Sequence, residues 1–350
     1  MANPKKELLT LAREEEKRSK EIYNKAIIID ALTYAPNLAS LNRREYLDEL
    51  TEYGITATNF TIQEPFEDLD DLLNQVSIWH DLANEEGAII AKTTSDIQKA
   101  KKENKKCLIL GLQNGKSLSE NPRLVRIFHL LGIRVIQIAY NEQNLLGCGG
   151  DDKDAGVTKL GRIMIEKMNT VGILVDASHC GYRTTLDAIN YSSKPIAFTH
   201  ANPKFLCNHY RNKTDEELKA LAERGGVVGL NAYSNFYMKT KEEKPDLNDF
   251  LNCLDYTVNL IGAEHVGFGL DLSPGAKWNP TAYAEWARRN PGLAPNDLEH
   301  ISLVGLDEPC KIINIARGLV KRGYKDEEIM GILGGNFLRL FSEIFDKGTV

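Results

Sequence analysis

Two histidines and an aspartate stand directly after apolar, strand-like runs. They are His179 in "GILVDASHC", His200 in "PIAFTH" and Asp271 in "HVGFGLD". One histidine in that position reads as a core residue with a satisfied hydrogen bond. Two at the ends of consecutive runs, with an acid ending a third, read as one shared polar site. Neutral imidazole and carboxylate are the ligands a zinc-like divalent ion prefers, and the same set also admits iron. The ends of the other runs add Asp30, Gln113, Tyr140, Asp176 and Asn231 as residues that could meet a substrate. His80 and His129 fall in helical patterns and read as surface or packing residues, and His265 begins a run instead of ending one. His209, in "LCNHYRNKTD", lies in a loop that could approach the site. Cys180 has no neighbouring base, and no G-x-S-x-G elbow offers a serine nucleophile.

These residues can meet only if the runs lie side by side. The runs are "AIIID" (26–30), "ITATNFTI" (55–62), "CLILGL" (107–112), "RVIQIAY" (134–140), "GILVDAS" (172–178), "PIAFTH" (195–200), "GVVGLNAY" (226–233) and "HVGFGLD" (265–271), with "GAIIA" (87–91) as an extra. They are continuous and apolar, as in parallel strands covered on both faces. Amphipathic helical patterns alternate with them. "VTKLGRIMIEKMNTV" sets Leu160, Ile163, Met164 and Met168 on one face, and "TDEELKALAERGG" has Thr214 as its cap and Gly225 at its end. Eight such units predict an α/β fold, a single (β/α)8 TIM-type barrel with its catalytic side chains at the C-terminal strand ends. An open doubly wound sheet is the alternative, weakened by the lack of a G-x-G-x-x-G turn or a Walker lysine loop. The barrel domain is expected to span 1–350, with residues 1–25 as an amphipathic surface helix and 275–350 as a mainly helical extension. The stretch "WNPTAYAEWARRNPGLAPND" is long enough for a lid or an interface.

The 350 residues are 42% hydrophobic and 26% charged, with a formal net charge of -6, which suits a large core and gives nucleic acid no basic stripe. No run approaches the ~20 apolar residues of a membrane span. The charged N-terminus lacks the apolar stretch of a signal peptide. Six scattered cysteines without a C-x-x-C pair suit a reducing, cytoplasmic setting.

"GVTKLGRIMIEKMNTVGILVDASHCGYRTTLDAI", "PIAFTHANP", "RNKTDEELKALAERGGVVGLNAY", "HVGFGLD" and "GYKDEEIMGILGGNFLRLF" resemble the renal (membrane) dipeptidase family of zinc metallopeptidases, over roughly residues 26 to 345. The resemblance implies a (β/α)8 fold and hydrolysis of dipeptides, some with a D-residue on the C-terminal side; some members open β-lactams. It implies that His179 and His200 hold the second metal of a two-metal site, that Arg211 grips the substrate carboxylate, and that Asp271 handles the proton of the attacking water or leaving amine. A guanidinium suits a carboxylate because it donates two parallel hydrogen bonds.

The departures from that family pattern matter as much. The His-x-Asp pair that binds the first metal is replaced by Leu32 and Tyr34, the bridging glutamate by Gln113, and a substrate-contacting histidine by Tyr140. Two close divalent ions need anionic ligands. Leu32 cannot ligate, and Tyr34 could do so only by losing a proton of reference pKa about 10. One divalent ion, with zinc the best match, is therefore expected on His179 and His200 with Gln113 or Asp271 and water, and no second ion. The partner is expected to be a small carboxylate-bearing molecule, contacted by Arg211, Tyr140 and Asn231, with neither nucleic acid nor membrane involved; a homodimer stays open. Two functions follow: a metal-dependent hydrolase of a dipeptide or similar amide, or a barrel with altered or lost dipeptidase chemistry that binds a carboxylate ligand or runs another reaction.

Overall fold

The computed structural model describes residues 8–35, 43–240, 243–272, 284, 287, 288, 293 and 301–349. Nine strands form one all-parallel sheet: β1 Ile29–Tyr34, β2 Ala57–Thr61, β3 Ile89–Ile90, β4 Cys107–Leu112, β5 Ile133–Gln137, β6 Leu174–Asp176, β7 Ala197–Phe198, β8 Val227–Leu230 and β9 Val266–Phe268. Eight of them run in the order β1-β2-β4-β5-β6-β7-β8-β9, and the short β3, the extra run, pairs only with the start of β4. The ring closes between β9 and β1. Thr33 bridges Leu272 in parallel, Tyr34 N donates to Leu272 O at 3.0 Å, and Asp271 N donates to Leu32 O at 3.0 Å. The expected (β/α)8 barrel is thus the observed fold.

Helices fill the intervals: α1 Arg13–Lys25, α2 Arg43–Glu52, α3 Leu69–Glu85, α4 Thr94–Glu103, α5 Arg123–Leu130, α6 Lys159–Val171, α7 Tyr182–Tyr191, α8 Asp215–Glu223, α9 Leu247–Ile261, α10 Ile313–Lys321, α11 Asp326–Met330 and α12 Asn336–Ile344. Thr214 caps α8 as its sequence predicts, accepting from Glu217 N while Glu217 returns the bond in a capping box. Gly225, just past that helix, has φ 78, a left-handed turn that glycine enters without cost. On α6, Met164 and Met168 are buried, with Ile165 deeper than Ile163. Helix α1 lies on α10 through ion pairs such as Arg317 Nε–Glu16 Oε2 at 2.8 Å. The Pro- and Asn-rich stretch after β9 falls mostly outside the described residues.

Two packing layers separate the ends of the barrel. Near the strand starts, Ile29, Ala57, Ile109, Val135, Leu174 and Val227 form a cluster with Phe337 and Phe341 of α12. The C-terminal helix therefore stoppers the barrel on its N-terminal face, and the opposite face is left for the site. Higher up, the interior is tight. A Cβ on Gly229 would meet Thr199 O at 2.1 Å, and one on Gly269 would meet the same oxygen at 2.0 Å. Glycine at both places lets the strand that carries His200 sit close to its neighbours.

Candidate active site

Each of the eight ring strands delivers a polar group at or just past its C-terminal end: Tyr34 on β1, Glu64 after β2, Gln113 after β4, Tyr140 after β5, His179 after β6, His200 after β7, Asn231 after β8 and Asp271 after β9. The histidines form the centre of this ring. Their Nε2 atoms lie 2.9 Å apart. His179 Nδ1 meets Asn141 Oδ1 at 2.8 Å, and the ring of Tyr140 stacks on its imidazole at 4.1 Å. His200 Nδ1 meets Thr199 Oγ1 at 2.8 Å. That hydroxyl donates to Asp176 Oδ2 at 2.6 Å, so it accepts from His200. The amide oxygen of Asn141 can only accept. Both imidazoles therefore carry their proton on Nδ1, and two Nε2 lone pairs face each other. Burial, then the Arg211 guanidinium, hold both rings well below the ordinary histidine pKa, so a shared proton does not relieve this arrangement. The donor set fits a divalent cation: two neutral, oriented imidazoles with their outer nitrogens fixed by second partners. Among the described residues, no three His, Cys, Asp or Glu side chains are grouped to hold a metal. Among the described residues, Gln113 and water are further ligands that the sequence reading offers.

Gln113 is buried, and its Nε2 donates to Thr61 Oγ1 at 2.8 Å, which leaves Oε1 as its ligand atom. Gln137, on β5, donates to the Gln113 carbonyl and accepts from His179 N at 3.3 Å. These bonds tie the ends of β4, β5 and β6 together.

Arg211 comes from the loop between β7 and α8, and it is among the largest fully buried side chains. One terminal nitrogen donates to Ser178 O, and the other reaches His200 O at 3.4 Å. Nε has no partner. A buried guanidinium with an unmet donor is an incomplete arrangement that an anion would complete. Burial lowers its pKa, opposed by Tyr210, Tyr140 and Asp271. His209 does approach this region, but as a brace. Its Nδ1 accepts from Arg211 N at 3.2 Å and its ring stacks on Tyr210.

Asp271 accepts from Asn231 Nδ2 at 3.2 Å. Burial raises its pKa to about 6, with Arg211 and Asn231 pulling it down. Asn231 is fully buried, and its Oδ1 accepts from Tyr233 N. In this structure its amide serves Asp271 and the backbone.

The first strand departs from its sequence reading. The apolar run ends at Asp30, but β1 continues to Tyr34. Asp30 lies below the mouth, accepting from Leu270 N at 3.0 Å, Leu32 N at 3.2 Å and Thr33 Oγ1 at 3.2 Å. Asp176 is likewise taken up by Ser178 and Thr199. Tyr34 reaches the mouth instead, donating to Glu64 Oε2 at 2.5 Å. Burial, then the Glu64 charge, push its phenol well above the ordinary tyrosine value, so Tyr34 is a neutral donor. Glu64 has no counterpart among the sequence candidates, although it stands just past a strand end. Asn141 and Thr199 were also missed as partners of the histidines. Cys180 is buried, its thiol pushed up to about 12 by burial, which makes it inert. A cleft of about 640 Å3 opens beside Tyr140, with Phe66, Asn114, Lys116 and Leu145 among its walls.

Comparison with known proteins agrees with the barrel fold. An amidohydrolase structure from Pseudomonas aeruginosa superposes with a TM-score of 0.85 at 29% identity, covering 94% of this chain and 99% of that one. A metallopeptidase from Rhodobacter sphaeroides, bound to a phosphinate mimic of L-Ala-D-Ala, shares the fold, with a TM-score of 0.74 at 18% identity over 91% of this chain and all of that one. Among curated sequences, dipeptidase aclJ of Aspergillus oryzae is 25% identical over 239 residues, 67% of this chain and 51% of its own length. Dipeptidase tcpJ of Claviceps purpurea is 24% identical over 289 residues, 82% of this chain and 61% of its own length. The chain thus spans about half to three-fifths of the length of these relatives. The profile of the membrane dipeptidase family, peptidase family M19, matches residues 28–284, and the chain belongs to that family.

Proposed function

We propose that the chain is a metal-dependent hydrolase of a dipeptide or a similar small amide bearing a carboxylate, with a single divalent ion, zinc by preference, on His179 and His200. The observation that carries this reading is the approach of the two histidine Nε2 atoms to 2.9 Å, with each imidazole held through Nδ1 by a second partner. Gln113 Oε1 and water would complete the ligands. When bound, such an ion polarises an amide carbonyl and lowers the pKa of water. The chain's own residues supply the rest. Arg211 takes the substrate carboxylate. Asp271, ionised above about pH 6, accepts a proton from water on its carboxylate and returns it to the leaving amine nitrogen. Asn231 holds that carboxylate in place. Tyr140 covers one face of His179 and keeps its plane fixed. All six cysteines are free thiols, and five are buried, which supports a reducing compartment such as the cytoplasm.

Membership of a family whose curated relatives include dipeptidases supports the reaction class. Leu32 and Tyr34 at the His-x-Asp positions favour the second reading, a barrel that binds a carboxylate ligand or runs altered chemistry. Elemental analysis and turnover separate the two. The hydrolase reading expects one zinc per chain and zinc-dependent cleavage within a panel of dipeptides and N-acylated amino acids. A zinc-loaded, folded protein that cleaves none of them supports the second reading.

A further inference from the structure

We propose that Lys213 is a positioning residue: its buried ammonium fixes the Arg211 guanidinium in relation to the His179 imidazole, and so sets how long a substrate can be between its carboxylate and its reacting amide. The proposal rests on the hydrolase reading above and deepens it, since it makes the length of that spacer the quantity the site selects.

The burial of the loop is the first argument. Arg211, Asn212 and Lys213 follow one another in the segment between β7 and α8, and they are 2%, 3% and 2% exposed. A lysine is almost never buried without partners. Here the ammonium has them. Its Nζ donates to Cys180 O at 2.7 Å and to Thr185 Oγ1 at 2.9 Å, and it pairs with Glu217 Oε1 at 3.4 Å. An ammonium carries three donors, and these three oxygens match them. The ring of Phe198, two residues before His200, lies 5.0 Å from the same nitrogen. Between the two cations, Asn212 ties the loop elsewhere, its Nδ2 donating to Cys207 O and Phe236 O, both at 2.9 Å.

The second argument is what the cation holds. The turn at residues 178–180 is gripped at three successive carbonyls. Arg211 donates to Ser178 O, Gly150 N to His179 O at 2.8 Å, and Lys213 Nζ to Cys180 O. Two of these donors come from residues 211 and 213, so the guanidinium and the imidazole belong to one braced piece. The backbone extends the brace to the other histidine: Lys213 N donates at 2.8 Å to Asn202 O, two residues past His200. A methionine would fill the space of this lysine without the cost of burying a charge. What the ammonium adds is a directed bond to the residue beside His179, and a recognition group needs that kind of support.

The test measures binding to the zinc-loaded protein by calorimetry. The probes are ethanethiol, mercaptoacetate, 3-mercaptopropionate and 4-mercaptobutyrate, in which a thiol for the metal carries a carboxylate at three distances. The wild type should bind one acid about 10- to 100-fold more tightly than ethanethiol, the range of one charge-assisted hydrogen bond, and the other two less well. The double variant Lys213→Met with Glu217→Gln removes the cation without stranding its partner's charge. Glutamine keeps an oxygen for Thr214 N, from which Glu217 accepts at 2.8 Å. This variant should bind zinc and ethanethiol like the wild type, while the three acids come within about 3-fold of one another, because a loosened spacing favours no length. A folded double variant that keeps the length preference, or that loses zinc and ethanethiol along with it, overturns the proposal. Thr185→Val covers the case in which the double variant fails to fold. It takes one oxygen from the ammonium and one donor from Cys180 O. The length preference should then narrow about 3-fold, the lower end of one hydrogen bond, and an unchanged preference overturns the proposal. Equal binding of the three acids by the wild type also overturns it and leaves the hydrolase reading intact. If the wild type takes up no zinc, the hydrolase reading falls and the proposal with it.

Discussion

Replacing Thr199 by valine tests whether the histidine pair is built to hold a cation. Valine matches the shape of threonine but lacks the hydroxyl. In the wild type that hydroxyl accepts from His200 Nδ1 at 2.8 Å and donates to Asp176 Oδ2 at 2.6 Å. Without it, a buried Nδ1–H has no acceptor, which costs about 1–3 kcal/mol. The ring escapes this cost by moving its proton to Nε2. That nitrogen then donates to His179 Nε2 across the same 2.9 Å, and the two lone pairs no longer face a common point. A cation must reverse this exchange in order to bind, so zinc affinity should fall about 10- to 100-fold, the usual effect of losing a partner behind a ligand. That equals about 1.4–2.8 kcal/mol. Asp176 keeps Ser178 N at 2.9 Å, Ser178 Oγ at 2.6 Å and Thr199 N at 3.1 Å, so the fold should survive. The assay is a zinc titration against a chromophoric chelator, with a melting curve for each protein. Thr199→Ser, which keeps the hydroxyl, should bind like the wild type. A folded Thr199→Val protein with wild-type affinity would refute the tautomer argument.

Arg211→Ala should lower kcat/KM about 10²-fold for a carboxylate-bearing amide, the value of a charge-assisted hydrogen bond lost from the transition state. The wild type should turn over the corresponding carboxamide poorly; equal turnover of acid and carboxamide would remove Arg211 from carboxylate recognition. Asp30 gives a pH-dependent stability effect: burial raises its carboxyl to about 7 against an ordinary value of 3.8. The folded chain therefore holds that proton more tightly than the unfolded chain. The resulting stability is full below about pH 4 and is lost as pH rises to about 7, by up to roughly 4 kcal/mol. Asp30→Asn has no such proton, so it should cost most near pH 4 and least near pH 8; melting curves that differ by a constant across that range would contradict this.

The eight ring strands were legible because parallel strands buried on both faces must be continuously apolar, and a helix pattern separates each pair. Their exact ends were less legible. The β1 run loses its apolar character at Asp30, yet the strand continues to Tyr34 because the polar residues there are absorbed by the closing seam with β9. Among the site residues, His179, His200, Gln113, Tyr140, Asn231 and Asp271 could be read from strand ends alone. The roles of Arg211 and of the substituted positions needed the family resemblance, since nothing in "HYRNKTD" marks the arginine as buried. Glu64 was missed because its run stops at Ile62, and the acid follows in a Pro-containing loop that carries no periodicity. Asn141 was out of reach for a different reason: it lies 38 residues from His179, and only the side-by-side placement of their strands makes them partners.

Three acids, Asp30, Asp176 and Asp271, close apolar runs of the sequence, and residue type alone does not separate them. What separates them is how many donors each already has. Asp30 takes three hydrogen bonds, two of them from backbone N–H groups, and holds β1 to β9. Asp176 takes four, from Ser178 and Thr199, and holds β6 to β7 while fixing the His200 tautomer through the Thr199 hydroxyl. Removing a proton acceptor from either would open a seam, so neither can change its bonding during a reaction. Asp271 has a single side-chain donor among the described residues, Asn231 at 3.2 Å. It also has φ 58, a left-handed backbone that aspartate adopts more readily than most residues and that recurs where a side chain is aimed for function. A carboxylate that exchanges protons needs unspent lone pairs and a pKa between those of water and a free acid. Of the three, only Asp271 combines a pKa raised to about 6 with bonding capacity left over. In the proposed mechanism the proton transfers are therefore assigned to the least satisfied acid, and the two satisfied ones hold barrel strands together.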